Sequence, residues 1–453
     1  MQRKLATQNV TEGVIWKQLL FFFFPILLGT FFQQLYNTVD TIVVGRFVGT
    51  QALAAAGAAA PLISLLNGFF IGLSSGATVL ISQFFGASDR KGVHKALHTG
   101  IAFSLILGLT IIVLGVVAGP GILRLIKTPE NCLHDAVTYI RIYFLGSVAS
   151  MIYNMGSGIL RAMGDSKRPT LFLMVTCFVN IVLDILFVVV LHMGIAGAAI
   201  ATILAQGTSA VLVLRVLMQL PEDIALCPSR IHLDASLLKR ILYIGVPAGL
   251  QFITFDLSNL LIQSGINSFG SATIASFTAY GKTDALTWMV SGAFGVSITT
   301  FVGQNYGAQK YDRIRKGVWI CLAMSILLVG FISALEITFR QWILGIFTVD
   351  PEVVRLGAYV MLWTVPFNAI LMPMEIFGGA MRGTGYSFVP TAITAVCICL
   401  FRVLWLLIVV SRFHTLEVLM LCYPVSWLIT ATMFTITYLR GNWLRRHSGI
   451  TEA

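Results

Sequence analysis

A small number of ionisable residues lie inside stretches of sequence that are otherwise apolar and long enough to cross a bilayer. In the first half of the chain they are Asp40 and Asp184, and in the second half they are Asp256, Lys282, Asp284, Glu375 and Arg402. A charged side chain within the hydrocarbon layer is costly, so each of these residues is a candidate for binding an ion or a proton. Glu336 lies nearer the end of its stretch, and we expect it at an outer membrane edge.

Polar residues recur at helical spacing around the two carboxylates of the first half. They form three stripes: Gln33, Asn37 and Asp40; Asn180 and Asp184; and Thr202 and Gln206. Residues three, four or seven apart share one face of a helix, so the three stripes could converge on one buried pocket. Two ionised carboxylates in such a pocket repel each other, so at least one holds a proton or a cation lies between them. The stripes therefore predict a cation or proton site, with simple hydrogen bonding between helices as the alternative.

The charges of the second half do not point to a single pocket. A further polar stripe consists of Asp256, Asn259 and Gln263. Lys282 and Asp284 are two residues apart, so they lie on different faces of a helix and are poor partners for each other. We expect Lys282 to pair with Asp256 or Glu375. Arg402 should pair with another carboxylate, and the sequence leaves open whether such pairs are structural or form a second switch.

The composition excludes a water-soluble protein of this length. Only 30 Lys and Arg and 19 Asp and Glu occur among 453 residues, whereas 57% of the residues are hydrophobic. Charged residues make up 11% of the chain, against about 25% in a typical soluble domain, and the mean hydropathy is +0.87. The sequence is therefore that of a polytopic membrane protein. Its seven cysteines lack the paired spacing of a zinc site or a disulfide framework, so we interpret them as packing residues.

Twelve apolar stretches have the length of a transmembrane helix. They cover residues 15–45, 52–84, 96–120, 136–162, 169–192 and 194–218 in the first half, and 238–266, 272–304, 316–340, 353–381, 388–411 and 416–440 in the second. We predict an all-α integral membrane protein of twelve helices in two six-helix bundles, residues 1–218 and 237–453. The polar residues 219–236 between them are predicted to form a cytoplasmic linker. No connection is long enough to hold a soluble catalytic domain.

The basic residues indicate the orientation of the twelve helices. With the N-terminus on the inside, inner segments contain about three times as many Lys and Arg as outer segments. Arg3, Lys4, Arg445 and Arg446 belong to the inner set, and Lys127 belongs to the outer one. This bias follows the positive-inside rule, so both termini are predicted to be cytoplasmic. The net charge of +11 then reflects topology and not a surface for nucleic acid.

The chain repeats landmark residues at a spacing of 221 positions, as from Gln83 to Gln304. The matches are Gln83, Gly86 and Ala87 with Gln304, Gly307 and Ala308; Arg161, Gly164, Pro169 and Thr170 with Arg382, Gly385, Pro390 and Thr391; and Gly49 with Gly270. Lys17 and Pro25 match Lys239 and Pro247 one residue further on. Because each repeat has six spans, the halves share one orientation and are related by an axis along the membrane normal. The carboxylates are not repeated, since Asp184 corresponds to Trp405 and Asp40 to Leu261 or Ile262.

Loop motifs distinguish between two families of six-plus-six transporters. The inner loop Gly86–Gly92 comes close to the G-x-x-x-D-R-x-G pattern of the major facilitator superfamily but is one residue short. The segments Gln83–Ala87 and Gln304–Ala308 instead resemble the Q-x-x-G-A end of the second span in each half of multidrug and toxic compound extrusion (MATE) transporters. The segments that begin at Arg161 and Arg382, each followed by Pro-Thr, are similar to other loops of that family. The sequence resembles a MATE transporter along its whole length.

This resemblance implies a role for four residues of the first half. In the branch resembling DNA-damage-inducible protein F, an Asp on the first helix and an Asn-x-x-x-Asp on the fifth form an amino-terminal cation site. The matching positions are Asp40, Asn180, Asp184 and Thr202. The resemblance thus implies a proton or Na⁺ at Asp40, Asn180 and Asp184, and no other metal. Some branches of the family bind sodium through acidic residues on the seventh and tenth helices, and Glu375 lies on the tenth. The resemblance therefore does not decide whether H⁺ or Na⁺ is the coupling ion.

Pro25 is a candidate hinge in the first helix, about four turns before Asp40. Proline removes one backbone hydrogen bond, so the helix can kink there. Protonation of Asp40 could shift a balance between a bent and a straight helix. Proline is also common in transmembrane helices, so an incidental kink is the alternative.

The resemblance implies an antiporter that exports lipophilic, often cationic compounds in exchange for H⁺ or Na⁺ and uses no cofactor. We expect small-molecule substrates and membrane lipids as its partners, no nucleic acid, a monomeric state and a bacterial cytoplasmic membrane. A lipid-linked oligosaccharide flippase of the same superfamily is the alternative within transport, although the candidate residues are mostly acidic. A membrane-embedded enzyme is the alternative of another class, but the sequence contains neither an H-E-x-x-H nor a D-D-x-x-D motif.

Overall fold

The computed structural model of the protein describes residues 10–126 and 128–445. Arg3, Lys4, Lys127 and Arg446, which contribute to the predicted orientation, lie outside the described residues, as does the side chain of Arg445. Within the described ranges the chain forms helices joined by short turns and contains no β-strand. The predicted all-α class is confirmed.

Among the described residues, eleven single helices and one bent pair are long and apolar enough to cross a bilayer, which confirms the predicted number of spans. In the first half they are α1 (Ile15–Val48), α2 (Thr50–Gly86), α3 (Arg90–Leu125), α4 (the pair Glu130–Leu145 and Ser147–Ala162, bent by 47°), α5 (Lys167–Val190) and α6 (Gly194–Met218). In the second half they are α7 (Ala235–Asn267), α8 (Ser271–Gly307), α9 (Tyr311–Thr338), α10 (Pro351–Gly383), α11 (Phe388–Val410) and α12 (Leu416–Leu439). Shorter helical segments are Pro228–Arg230, Arg340–Phe347 and Asn442–Arg445.

Both repeats use left-handed backbone conformations at equivalent helix boundaries. The pairs are Gly49 and Gly270 (φ 119° and 91°), Ser88 and Gln309 (φ 58° and 56°), and Gly164 and Gly385 (φ 94° and 89°). Glycine adopts this conformation without a steric penalty, which explains its presence in two of the three pairs. The members of each pair stand at the spacing of the sequence repeat, so the repeat extends from the residue types to the backbone.

The chain forms two compact units whose division falls inside α1 and α7. Unit 1 contains Phe24–Gly249, and unit 2 contains Val10–Phe23 together with the chain from Leu250 onward. The predicted segments 1–218 and 237–453 differ from these units in the first parts of the two helices. Pro25 and Pro247 each lie within three residues of the point where their helix passes from one unit to the other.

In unit 1, α2 packs against the first part of α7 through glycines. A Cβ atom at Gly72 would collide with the backbone of Gly249, and one at Gly76 would collide with the carbonyl oxygen of Ile241. Small residues allow transmembrane helices to approach this closely. The same segment, Gly72–Gly76, has the letters of the G-x-S-x-G motif of hydrolases, but it lies inside a continuous helix rather than at a strand-to-helix turn. Ser74 there donates to the carbonyl oxygen of Ile71, so the motif match is incidental.

In unit 2, residues 10–13, which we call the N-terminal strap, dock on the second Q-x-x-G-A motif. The Val10 amide donates to Gln304 Oε1, and the Asn305 side chain donates to the Val10 carbonyl oxygen (both 3.3 Å). Arg313 donates to strap carbonyl oxygens, among them that of Glu12 at 2.9 Å. Val10 is 1% exposed. The motif therefore anchors the chain that leads into α1.

Candidate functional site

The two carboxylates of the first half approach each other inside unit 1. Asp40 lies half-buried on α1, and Asp184 and Asn180 lie on α5 with no exposed surface. The negative charges of Asp40 and Asp184 are close enough to repel each other. α5 packs against α6, which carries the buried Thr202. The structure thus brings the two predicted carboxylates together.

Most oxygens of this pair lack a hydrogen-bond donor. In the described part of the chain, both Asp184 side-chain oxygens, Asp40 Oδ1 and both polar atoms of the Asn180 side chain are buried without a hydrogen-bond partner. A buried ionised carboxylate without a partner is strongly unfavourable, so it takes up a proton or binds a cation. Carboxylate and amide oxygens are the ligands that hard cations prefer. The chemistry of this donor set therefore fits both H⁺ and Na⁺.

Three tyrosines that the polar stripes did not predict border the carboxylate pair. They are Tyr36 on α1 and Tyr139 and Tyr143 on α4, each at most 9% exposed. All three interact electrostatically with Asp40. The Tyr143 hydroxyl accepts hydrogen bonds from the side chains of Asn67 (3.1 Å) and Gln206 (3.5 Å). Aromatic rings beside a carboxylate suit an organic cation. The spacing of four residues from Tyr36 to Asp40 is the signal in the sequence that could have found Tyr36.

The other predicted residues of the first-half stripes differ in their surroundings. Gln33 is half-buried and hydrogen-bonds with Tyr36, whereas Asn37 is exposed. The Thr202 hydroxyl donates to the carbonyl oxygen of Ala198 (3.0 Å), one turn back in its own helix. Gln33 therefore supports a tyrosine of the site, and Thr202 retains only its oxygen as an acceptor for a ligand.

The backbone of α5 becomes irregular immediately after Asp184. Residues Ile185–Val190 form a π-helical turn. In the second repeat Trp405, the counterpart of Asp184, begins the π-helical turn Trp405–Val410. Such turns occur often at functional sites. The irregular backbone is common to both repeats, whereas the carboxylate occurs in one.

α1 is attached to α5 at the proposed hinge. The Thr170 hydroxyl donates to the carbonyl oxygen of Pro25 (2.5 Å). One turn later a Cβ atom at Gly29 would lie 3.1 Å from Leu173 Cδ1, so the two helices are in close contact. Thr170 belongs to the Pro-Thr step that recurs in the second repeat. This contact holds the unit 1 part of α1 at the point where proline removes a backbone donor.

Unit 2 contains a second pair of neighbouring carboxyl groups, the half-buried Asp284 on α8 and the buried Glu336 on α9. Asp284 accepts hydrogen bonds from the Trp288 indole (2.8 Å) and from the Asn368 side chain (3.5 Å). Glu336 is 4% exposed, and both of its side-chain oxygens lack a partner among the described residues. The two carboxyl groups repel each other when ionised. Glu336 was expected only at a membrane edge, and no sequence pattern indicated that α8 and α9 would bring it to Asp284.

The interactions of Glu375 and Lys282 differ from those expected. Glu375 interacts electrostatically with Arg382, two turns along α10, which also donates to Gln251 Oε1 (2.9 Å). Lys282 is exposed and forms no ion pair within the described ranges, so its expected pairing with Asp256 or Glu375 is wrong.

The expected ion pair of Arg402 is also wrong. Its guanidinium group donates to the side chains of Ser426 (3.2 Å), Ser258 (3.3 Å) and Asn259 (3.2 Å). It also lies over the Tyr423 ring, 4.6 Å from the centroid. Neutral acceptors and an aromatic face thus take the place of a carboxylate around this buried cation. Gln263, on the same stripe as Asn259, donates to Asn267 (3.0 Å).

Comparison with known proteins agrees with the two-repeat architecture. The MatE family model matches the chain twice, at residues 25–186 and 247–408. The chain belongs to the MATE family. MATE proteins are transporters and not enzymes, and they use ion gradients without a cofactor, so the alternative of a membrane-embedded enzyme is set aside.

Relatives of this MATE protein cover nearly its whole length. It is 28% identical over 402 residues to the probable multidrug resistance protein YoeA of Bacillus subtilis, covering 87% of this chain and 86% of that protein. It is 25% identical over 451 residues to the probable multidrug resistance protein NorM of Thermotoga maritima, covering 98% and 96%. The crystal structure of a MATE protein in complex with MaL6 shares the fold, with a TM-score of 0.91, 21% identity and coverage of 98% of this chain and 100% of that one.

Proposed function

We propose that this MATE protein is a secondary antiporter that exports lipophilic and cationic compounds in exchange for H⁺ or Na⁺. The observation that carries the proposal is the pair of the half-buried Asp40 and the buried Asp184, whose oxygens largely lack hydrogen-bond donors among the described residues. The relatives named as multidrug resistance proteins support the export of foreign small molecules.

The carboxylate pair couples two fluxes because one site accepts either of two ligands. When the coupling ion binds, it neutralises the negative charge of Asp40 and Asp184, and a cationic substrate loses its electrostatic attraction. When the ion leaves on the other side of the membrane, the charge returns and the site again attracts a cation. Tyr36, Tyr139 and Tyr143 supply the apolar and aromatic surface that a lipophilic cation requires.

Membrane gradients supply enough free energy for this exchange. A difference of one pH unit is worth about 1.4 kcal/mol for each proton, and 100 mV is worth about 2.3 kcal/mol for each charge. Since about 1.4 kcal/mol corresponds to a tenfold ratio, one or two coupling ions sustain a substrate gradient of about a hundredfold or more.

Pro25 is the proposed hinge through which the state of Asp40 changes the shape of α1. The proline lies next to the point where α1 passes from unit 2 to unit 1, and its carbonyl oxygen is held by Thr170 on α5. A helix that lacks one backbone hydrogen bond bends there more readily than elsewhere. Neutralisation of Asp40 removes its repulsion with Asp184 and so favours a closer approach of α1 to α5.

We place the protein as a monomer in the bacterial cytoplasmic membrane with both termini in the cytoplasm. The bacterial relatives and the distribution of basic residues support this placement. Its substrates are small molecules, and its remaining partners are membrane lipids.

Substrate exchange in proteoliposomes tests the coupling. A lipophilic fluorescent cation is loaded, and its efflux is followed under an imposed pH gradient, an imposed Na⁺ gradient, or neither. We expect one of the two gradients to accelerate efflux by the wild type. Asp40→Asn and Asp184→Asn should abolish the acceleration, because an amide is not protonated at neutral pH and carries no negative charge to attract a cation.

Asp312→Asn is the matched control, since Asp312 is an exposed acidic residue in the first turn of α9. It should respond to gradients as the wild type does. Wild-type efflux that does not depend on either gradient would show that Asp40 and Asp184 do not couple the ion and substrate fluxes. Acceleration by a gradient that persists in Asp40→Asn and Asp184→Asn would show the same.

A further inference from the structure

Two histidines of α3 and one cysteine of the connection between the halves meet on unit 1. His94 and His98 are four residues apart on α3, so they share one face of the helix. Cys227 lies in the segment between α6 and α7. The potential ligand atoms of the three side chains all lie within 4.8 Å of one another. Cys227 is not paired in a disulfide.

Hydrogen bonds fix the tautomer of the buried His98. The Cys227 backbone amide donates to His98 Nε2 (3.0 Å), and an amide can only donate, so Nε2 carries a lone pair. The proton of the neutral ring is then on Nδ1, which donates to the carbonyl oxygen of His94 (2.8 Å). A metal-binding histidine typically donates its other ring N–H to a carbonyl oxygen in this way. His98 is 0% exposed, and its lone pair is directed toward Cys227.

The segment that carries Cys227 is folded against α3. Its apolar residues pack into the core of unit 1: Leu220, Ile224, Ala225 and Leu226. Asp223 forms an ion pair with Arg90, and the Asp234 amide donates to Thr99 Oγ1 (3.3 Å). These contacts lie on both sides of Cys227 in the sequence. The fold therefore fixes the position of the cysteine beside α3.

We propose that His94, His98 and Cys227 bind a transition-metal ion of the Zn²⁺ class. Two imidazoles and one thiolate are ligands that Zn²⁺ prefers, whereas Na⁺, Mg²⁺ and Ca²⁺ prefer oxygen. On binding, the thiol releases its proton, and His98 Nε2 exchanges the Cys227 amide for the ion. The negative thiolate offsets the charge of the neighbouring Arg230. A water molecule supplies the fourth ligand of the ion. His232 does not supply it, because its ring lies 6.3 Å from that of His98 and it is not one of the three converging residues.

The bound ion would tie the segment before α7 to α3. His94 and Cys227 are half-buried, which leaves a path for the ion to enter. If this surface faces the cytoplasm, as proposed, the reducing environment keeps Cys227 available as a thiol. The metal site does not depend on the proposed transport function, and its test uses no transport measurement.

Cobalt reports directly whether the cysteine is a ligand. The protein is purified with a tag that contains no histidine, stripped with a chelator and titrated with Co²⁺. We expect one ion per chain and a thiolate-to-cobalt charge-transfer band, which requires a Co–S bond. Cys227→Ser should abolish the band, and His94→Ala and Cys227→Ser should each weaken competing Zn²⁺ binding by at least about tenfold. Cys399→Ser and His134→Ala, at a half-buried cysteine and an exposed histidine elsewhere, should behave as the wild type.

Alkylation gives a second readout that does not require the variants to bind cobalt. Zn²⁺ should protect Cys227 from a maleimide in the wild type and fail to do so in His94→Ala. Cobalt bound without the charge-transfer band, or equal Zn²⁺ affinities of the wild type and Cys227→Ser, would show that the three residues do not bind a metal ion. They would then only connect the two segments by hydrogen bonds. Alkylation of Cys227 at the same rate with and without Zn²⁺ would lead to the same conclusion.

Discussion

Buried charges in this protein have two kinds of surroundings. The guanidinium group of Arg402 is surrounded by hydroxyl and amide oxygens and by the Tyr423 ring. The carboxyl groups of Asp184 and Glu336 have no hydrogen-bond partner among the described residues. A charge whose hydrogen bonds are satisfied is fixed in place, whereas an unpartnered carboxyl group is free to bind a proton or a cation. The first kind stabilises the fold, and the second kind is a candidate for binding a proton or a cation.

Replacing Arg402 should therefore reduce stability. Arg402→Lys retains the charge but loses the planar fork that reaches Ser258, Asn259 and Ser426 at the same time. Hydrogen bonds to a charged group contribute about 1.5–3 kcal/mol each. We expect the midpoint of thermal unfolding in detergent to fall by several degrees for Arg402→Lys and further for Arg402→Ala.

Arg412→Lys is the control for Arg402→Lys, because Arg412 is exposed in the turn after α11. Its midpoint should match that of the wild type. Equal midpoints for Arg402→Lys and the wild type would mean that the guanidinium fork contributes nothing to stability.

At the scale of helices, α1 and α7 differ from the other spans because each belongs to both units. α1 passes between units at Phe24, and α7 does so at Leu250. Each contains a proline close to this point, at positions that correspond in the repeat. Pro61 on α2 and Pro424 on α12 lie in helices that belong to a single unit. The position of Pro25, rather than its presence, distinguishes it from these other prolines.

Pro25→Ala should weaken the coupling of substrate efflux to the ion gradient without unfolding the protein. Alanine restores a backbone donor and removes the ring, so α1 becomes stiffer at the point where it passes between units. Efflux in proteoliposomes is measured across a range of external pH values, and we expect a flatter pH profile than that of the wild type. Pro61→Ala should leave the profile unchanged. Identical profiles for Pro25→Ala and the wild type would make the kink incidental.

At the scale of the whole molecule, the sequence predicted what depends on long or periodic patterns. The twelve spans follow from apolar stretches whose length the bilayer dictates, and the α-helical class follows with them. The proximity of Asp40 and Asp184 was predicted from polar residues at helical spacing within three separate spans. Each of these features is local in the sequence or repeated along it.

Features that depend on contacts between distant segments were not predictable. Cys227 is 129 residues from His98, and nothing in the spacing of either residue indicates the other. Asp284 and Glu336 meet because α8 packs against α9, and Arg402 meets Ser426 because α11 packs against α12. The general rule that buried charges form ion pairs gave wrong partners for Lys282 and Arg402, since Lys282 is not buried within the protein and neutral acceptors surround Arg402.

The orientation of the whole molecule in the membrane can be tested by labelling its two faces. Basic residues are concentrated in the segments assigned to the inside, so Lys91 at the start of α3 should face the cytoplasm and Glu352 at the start of α10 should face outward. Five native cysteines are buried, and replacing the half-buried Cys227 and Cys399 with serine leaves a background that reacts little with thiol reagents. In that background, a membrane-impermeant maleimide should label Glu352→Cys in intact cells and Lys91→Cys only after permeabilisation. The parent without either new cysteine is the control for background labelling. The opposite pattern would place both termini outside and reverse the direction of the proposed exchange.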